Sequence, residues 1–159
     1  MFTKSLISRR ATLSVLTLGL ALSACGGGGG DGGSSGNSDP YGWNAVTALK
    51  ATDITVGTGA TLAVGNAMNV HYTGWLYDQS KADQKGAKFD SSVDRNQPLE
   101  AVVGMGLLIK GWDQGLVGMK VGGKRRLVIP ASLGYGSAGT ASIPGGAALV
   151  FDVELLAIK

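Results

Sequence analysis

Few side chains in this chain are equipped for covalent or metal chemistry. His71 is the only histidine and Cys25 the only cysteine. A Ser-His-Asp set would have to use His71 alone, and a metal site would find no second ligand at the right spacing, so His71 reads as a sheet residue. A lone cysteine excludes an intrachain disulfide, a thiolate metal cluster and a CxxC redox motif. Gly118 to Arg125 reads G-x-x-x-x-G-K-R, one residue away from a phosphate-binding loop. Arg125 stands where a Ser or Thr would hold magnesium, and the long parallel βαβ context is missing. Lys124-Arg125-Arg126 is no basic patch, because alternation along a strand sends neighbouring side chains to opposite faces, and a solvated strand end is expected. Neither a cofactor nor a metal is expected.

What remains is a series of short segments that carry aromatic residues and a carboxylate. They are Val70-His71-Tyr72-Thr73-Gly74-Trp75, Lys88-Phe89-Asp90-Ser91-Ser92, Ile109-Lys110-Gly111-Trp112, Tyr135-Gly136 and Leu149-Val150-Phe151-Asp152-Val153-Glu154-Leu155-Leu156. Each alone is an unspecific strand or turn. Taken in order and spacing, with Asp94-Arg95-Asn96 and Val121-Gly122-Gly123 between them, they resemble the FKBP-type peptidyl-prolyl isomerases from about Ile54 to Leu156.

The resemblance implies rotation about an Xaa-Pro peptide bond, whose barrier of about 18 to 20 kcal/mol comes from amide resonance. Such a rotation requires no strong nucleophile or acid. The twisted amide is less dipolar than the planar one and suffers less from loss of water, so an apolar aromatic pocket stabilises the transition state selectively. A pocket supplying roughly 7 kcal/mol brings a hundred-second event to about a millisecond. By the resemblance, Trp112 is the floor for the proline ring, with Tyr72, Phe89 and Phe151 as walls. Leu108 and Ile109 line the entrance, the Ile109 backbone N–H being available to a substrate carbonyl. The Tyr135 hydroxyl bonds the substrate backbone, Asp90 faces the twisting carbonyl from the rim beside Arg95, and Ile143 closes one side. Taken singly, such aromatics are commonly core residues and Asp90 with Arg95 an exposed pair of little consequence. Their joint placement in the motifs argues for the site.

Three departures bear on the pocket. The stretch between Tyr72 and Phe89 is longer by about seven residues, with Ser80 to Gly86 polar, which alters the rim on that side. Leu99 and Ala101 stand where aromatic residues are frequent, making that wall smaller, so Leu99 joins the expected binding residues. The Gly136 to Pro144 loop is one residue shorter and lacks bulk in Gly139-Thr140-Ala141-Ser142. These changes bear on affinity for macrolide inhibitors and on the preference for the residue before proline.

The elements that position these residues follow from apolar periodicity. Met68, Val70 and Tyr72 recur at a spacing of two, as do Arg125, Leu127 and Ile129, and Leu149, Phe151, Val153 and Leu155, the pattern of strands with one face on a core. From Leu108 to Met119 the spacing changes to three and four, the pattern of a short amphipathic helix. Gly111, Gly115 and Gly118 each weaken that helix by roughly 1 kcal/mol, so the sheet must hold it. The expected class is α+β, a curled antiparallel sheet packed on one short helix, as the resemblance also implies.

The N-terminal region is organised differently. Lys4, Arg9 and Arg10 precede an uncharged Leu-rich stretch from Ala11 to Ala24, the order of a secretory signal peptide and short for a membrane span. Leu22-Ser23-Ala24-Cys25 resembles a bacterial lipobox, in which the cysteine is lipidated. Ser8-Arg9-Arg10 resembles a twin-arginine signal more weakly, and the export route stays open. The expected organisation is a signal peptide over 1–24, a lipidated Cys25 with a Gly/Ser-rich tether over 25–46, and an FKBP-type domain over 47–159. The flexible part of the tether, from Gly26 to about Gly42, is about seventeen residues long and reaches roughly 20 to 25 Å. Removing Lys4, Arg9 and Arg10 from the fourteen Lys and Arg leaves eleven against eleven Asp and Glu, so the net charge of +3 belongs to the leader and gives no case for nucleic acid.

The expected function is an exported, lipid-anchored, monomeric prolyl isomerase of the cell envelope. In a Gram-negative host, Gly26 after the cysteine points to the outer membrane, facing the periplasm or the cell surface. Its expected partners are proline-containing peptides and folding exported proteins, with macrolide inhibitors as candidate ligands. Two rivals use the same residues differently: a chaperone-like groove for proline-containing or unfolded segments, and a surface lipoprotein for adhesion or assembly.

Overall fold

A computed structural model describes residues 39–159. The expected signal peptide, the lipidated Cys25 and most of the glycine-rich tether lie outside the described residues. Six strands and one α-helix follow: β1 (Lys50–Thr55), β2 (Ala67–Tyr77), β3 (Lys85–Ser91), β4 (Leu99–Val102), α1 (Lys110–Gly115), β5 (Lys124–Ile129) and β6 (Leu149–Ile158). All strand pairs are antiparallel. The order is β1-β5-β6-β2-β3, with β4 sharing the outer edge of β2 with β3.

The expected α+β class holds, but the curl does not. The sheet is not strongly curled: its strand order is an open path, and no pairing joins β1 to the opposite edge. Strong curvature needs bulges or kinks repeated across neighbouring strands. Here the β5–β6 ladder runs without a register shift from Lys124–Glu154 to Ile129–Leu149, and β2–β6 has a single shift at Asn69–Val70. Further shifts fall in β1 and around Trp75, toward the edges. A six-residue helix is also only about 9 Å long, too short a rod for a sheet to wrap.

That helix is shorter than the Leu108–Met119 periodicity predicts. Ile109 is extended at φ −61°, ψ 143°, and the chain leaves the helix after Gly115. Gly111 and Gly115 explain why helix-weakening residues stand here. A Cβ at Gly111 would lie 2.5 Å from Ile129 Cγ2, and one at Gly115 would lie 2.7 Å from Leu127 Cδ2. Their absence lets α1 lie directly on β5 and lowers Trp112 onto the sheet.

The alternating strands divide apolar residues between two faces. Met68, Val70, Leu127, Ile129, Leu149, Phe151, Val153 and Leu155 meet Trp112, Leu116 and Met119 in the main core. Tyr77, Val128, Ala148 and Val150 form a smaller cluster on the other face. Arg125 and Arg126 leave β5 on opposite sides, but neither is simply solvated. Arg125 pairs with Asp53 at 2.6 Å and donates to the Gly115 and Val117 carbonyls, closing the end of α1. Arg126 and Lys85 both bind Asp152 at 2.7 Å. These two bonds outweigh the desolvation that would raise its pKa and hold the Asp152 carboxyl below the usual carboxylate range.

Asp39 to Val46, within the segment read as tether, pack on the domain. The Asp39 carboxylate accepts the Trp43 and Asn44 N–H groups at 2.9 and 2.7 Å, capping a 3₁₀ turn over Trp43–Ala45. The Trp43 indole stacks on Tyr41, donates to the Tyr77 carbonyl at 2.8 Å and packs against both apolar clusters. Trp43, with Tyr41 stacked on it, thus fixes this strap to the domain.

Candidate functional site

On the core side of the sheet a pocket of about 670 Å³ opens between β2, β3, α1 and the loops that follow β4 and β5. Trp112 forms its floor and is only 3 % exposed. It meets Tyr72 edge-on at 5.2 Å and Phe151 edge-on at 5.3 Å, and Phe89 meets Phe151 edge-on at 5.5 Å. Edge-to-face contact puts the positive rim of one ring on the negative face of the next, so the four rings fix one another's orientation. Gly74 makes this packing possible. A Cβ there would lie 2.7 Å from both Phe89 Cζ and Phe151 Cε1.

A polar cluster stands at one side of the aromatic box. The Tyr72 hydroxyl donates to Asp90 Oδ2, Arg95 donates to Asp90 Oδ1, and the Ser91 N–H donates to the same Oδ1 at 2.8 Å. A second Arg95 nitrogen reaches the Tyr72 hydroxyl at 3.3 Å. Desolvation alone would raise the Asp90 pKa, but the Arg95 and Tyr72 bonds outweigh it and hold the carboxyl below the usual range. For Tyr72, burial and the bond to Asp90 push the phenol upward. Tyr135, 38 % exposed on the opposite lip, is pushed upward by burial and then by the Asp90 charge. At neutral pH the cluster is one carboxylate, one guanidinium and two neutral phenols.

Of the residues named from sequence, Tyr72, Phe89, Asp90, Leu99, Leu108, Ile109, Trp112, Tyr135 and Phe151 line this pocket. Arg95 lies behind its rim, bonded to Asp90. Ile143 is not brought to the lining: it is 4 % exposed and packs in the core. The Ser80–Gly86 insertion also stays away. Asp78 accepts the Ser80 N–H and hydroxyl at 2.9 and 2.6 Å, closing a tight turn, and Gln79 donates to the Tyr41 carbonyl. Sequence reasoning missed Leu107, Ser132 and Gly134 as lining residues. Ser132 sits in a 3₁₀ turn over Ala131–Leu133 with no periodic signal, and Leu107 lies among glycines that give none.

The comparison that decides the family is a match over residues 59–156 to the model for FKBP-type peptidyl-prolyl cis-trans isomerases. The chain belongs to this family. An FK506-binding protein of Neisseria meningitidis serogroup A is 50 % identical over 112 residues, covering 70 % of this chain and 96 % of that protein. FK506-binding protein 2B of Rhizopus delemar is 58 % identical over 96 residues, 60 % of this chain but 43 % of that longer protein. Among solved structures, AtFKBP13 is similar at a TM-score of 0.60 and 36 % identity, over 70 % of this chain and 93 % of that one. FkpA from Escherichia coli is similar at 0.61 and 41 %, over 71 % and 49 %. The FKBP-type domain spans nearly all of the Neisseria relative and less than half of the Rhizopus protein and FkpA. Its reaction is peptidyl-prolyl cis-trans isomerisation.

Proposed function

We propose that the aromatic pocket carries the isomerase reaction and that its residues act by differential solvation. A proline ring seated on Trp112, between Tyr72, Phe89 and Phe151, leaves its preceding amide in a site with little water. Rotation uncouples the nitrogen lone pair from the carbonyl and reduces the dipole, so the twisted amide loses less by desolvation than either planar form. Asp90 stays ionised at the rim and faces the rotating carbonyl. Arg95 and Tyr72 hold its orientation, and the Tyr135 hydroxyl bonds the substrate backbone. The observation that carries this reading is the four-ring box, with Asp90 bonded to one of its walls.

We infer further that this enzyme works on exported proteins as a monomer in the cell envelope, anchored through lipidated Cys25 at the outer membrane, facing the periplasm or exposed at the surface. The leader sequence and the Leu22–Cys25 motif support that placement. The pocket's apolar character and its likeness to FK506-binding proteins support binding of a macrolide of the FK506 kind.

The test is the cis-to-trans rate of Xaa-Pro tetrapeptides with the full-length protein, wild type against Asp90→Val and Trp112→Leu, each checked by circular dichroism. Acceleration that falls at least about tenfold in folded pocket variants, a loss of about 1.4 kcal/mol in transition-state stabilisation, is the expected result. Undiminished acceleration in both variants would move the reaction elsewhere on the molecule.

A further inference from the structure

The loop between β4 and α1 forms one lip of the pocket, and its conformation depends on a side chain outside the lining. Gly104 and Gly106 both have positive φ, +80° and +72°. The Gly104 N–H donates to Asp113 Oδ1 at 2.7 Å and the Gly106 N–H to Asp113 Oδ2 at 3.0 Å. One carboxylate therefore uses both oxygens to grip two amides either side of Met105. Asp113 directly follows the floor residue Trp112 in α1, so the grip ties the lip to the floor. Beyond Gly106 the chain presents Leu107 at the pocket with 76 % of its surface exposed, then Leu108 and Ile109.

An apolar side chain this exposed needs a reason to stay where it is. Two glycines offer the loop many alternative conformations, and left-handed backbone at both is one among them. Charge-assisted bonds to a carboxylate are roughly twice as strong as neutral ones, and two of them converge here. We propose that Asp113 is a positioning residue for the isomerase: it fixes the Gly104–Leu107 lip so that Leu107 meets the substrate residue before proline. This rests on the pocket assignment above. The gain is preorganisation, because a lip already in its bound form spends no binding energy on ordering itself.

The proposal separates Asp113 from a merely structural residue by peptide dependence. Asp113→Asn keeps the shape but turns one acceptor into a donor facing an N–H. In the full-length protein its kcat/KM is expected to fall about tenfold on tetrapeptides with a bulky apolar residue before proline, and less than about twofold with glycine there, mainly through KM. Leu107→Ala should reproduce that pattern, and the double variant should lose little more than either single one, since both act through the same contact. Amide exchange at Gly104 and Gly106 should quicken in Asp113→Asn. An equal loss on every peptide, or additive losses in the double variant, would overturn the proposal. A wild-type rate untouched by Trp112→Leu would overturn the pocket assignment and the lip with it, whereas a pocket-dependent rate that ignores Asp113→Asn overturns the lip alone.

Discussion

The Tyr72 hydroxyl on β2 donates to the Asp90 carboxylate on β3, so a wall of the aromatic box is bonded to the one carboxylate that lines the pocket among the described residues. The same carboxylate takes its second partner from Arg95. Its folded pKa is depressed below the unfolded value, so the associated stability is present above the unfolded pKa. It is lost as pH falls through the folded value.

The catalytic consequence is a rate level from pH 8 down to about pH 5, falling only below the ordinary aspartate value of about 3.9. Tyr72→Phe removes one bond to the carboxylate. It should move the acid limb upward and lower kcat/KM about fivefold, as read from a pH profile. A limb centred near pH 6 in the wild type would show that another group governs the reaction.

Gly74→Ala should damage the box from beneath without touching any of its rings chemically. The new methyl would sit 2.7 Å from two phenylalanine rings, and overpacking of this kind costs about 1 to 3 kcal/mol. Thermal melts should show that loss together with a fall in kcat/KM larger than the stability change explains. An unchanged rate in a destabilised protein would show that the edge-to-face order of Phe89 and Phe151 is dispensable.

Trp43→Ala tests the opposite case, a residue that matters to the fold and not to the reaction. It removes the indole bond to Tyr77 and half-buried aromatic surface shared by two clusters, worth about 2 to 3 kcal/mol together. The melting temperature should fall while kcat/KM per folded molecule stays unchanged. A matching drop in rate would couple the strap to the pocket.

How much of this was legible before the structure depends on whether the signal is local. Alternation in Met68–Tyr72, Arg125–Ile129 and Leu149–Leu155 read directly as β2, β5 and β6, because side-chain direction on a strand is a local property. Nine of the eleven expected residues line the pocket, and seven of those nine sit inside ordered motifs. Ile143 went astray because its loop turns it into the core, a choice made by packing. The curl was misjudged because it depends on where pairing slips between strands distant in sequence. The lip was illegible for a similar reason: Asp113 is an ordinary acidic residue on a helix until Gly104 and Gly106 fold back onto it. The strap left a single mark, a tryptophan in a polar stretch.

The strap also decides how this domain responds to force. Tension applied from the N-terminal side is transmitted first to the Asp39–Trp43 cap and from there to the backbone of Tyr77, whose side chain packs with Val128, Ala148 and Val150 on the far face of the sheet from the pocket. The load enters the interior of the fold at the end of its longest strand and bypasses the four rings. A pull arriving at Asp39 strains the clip before it can distort the four rings.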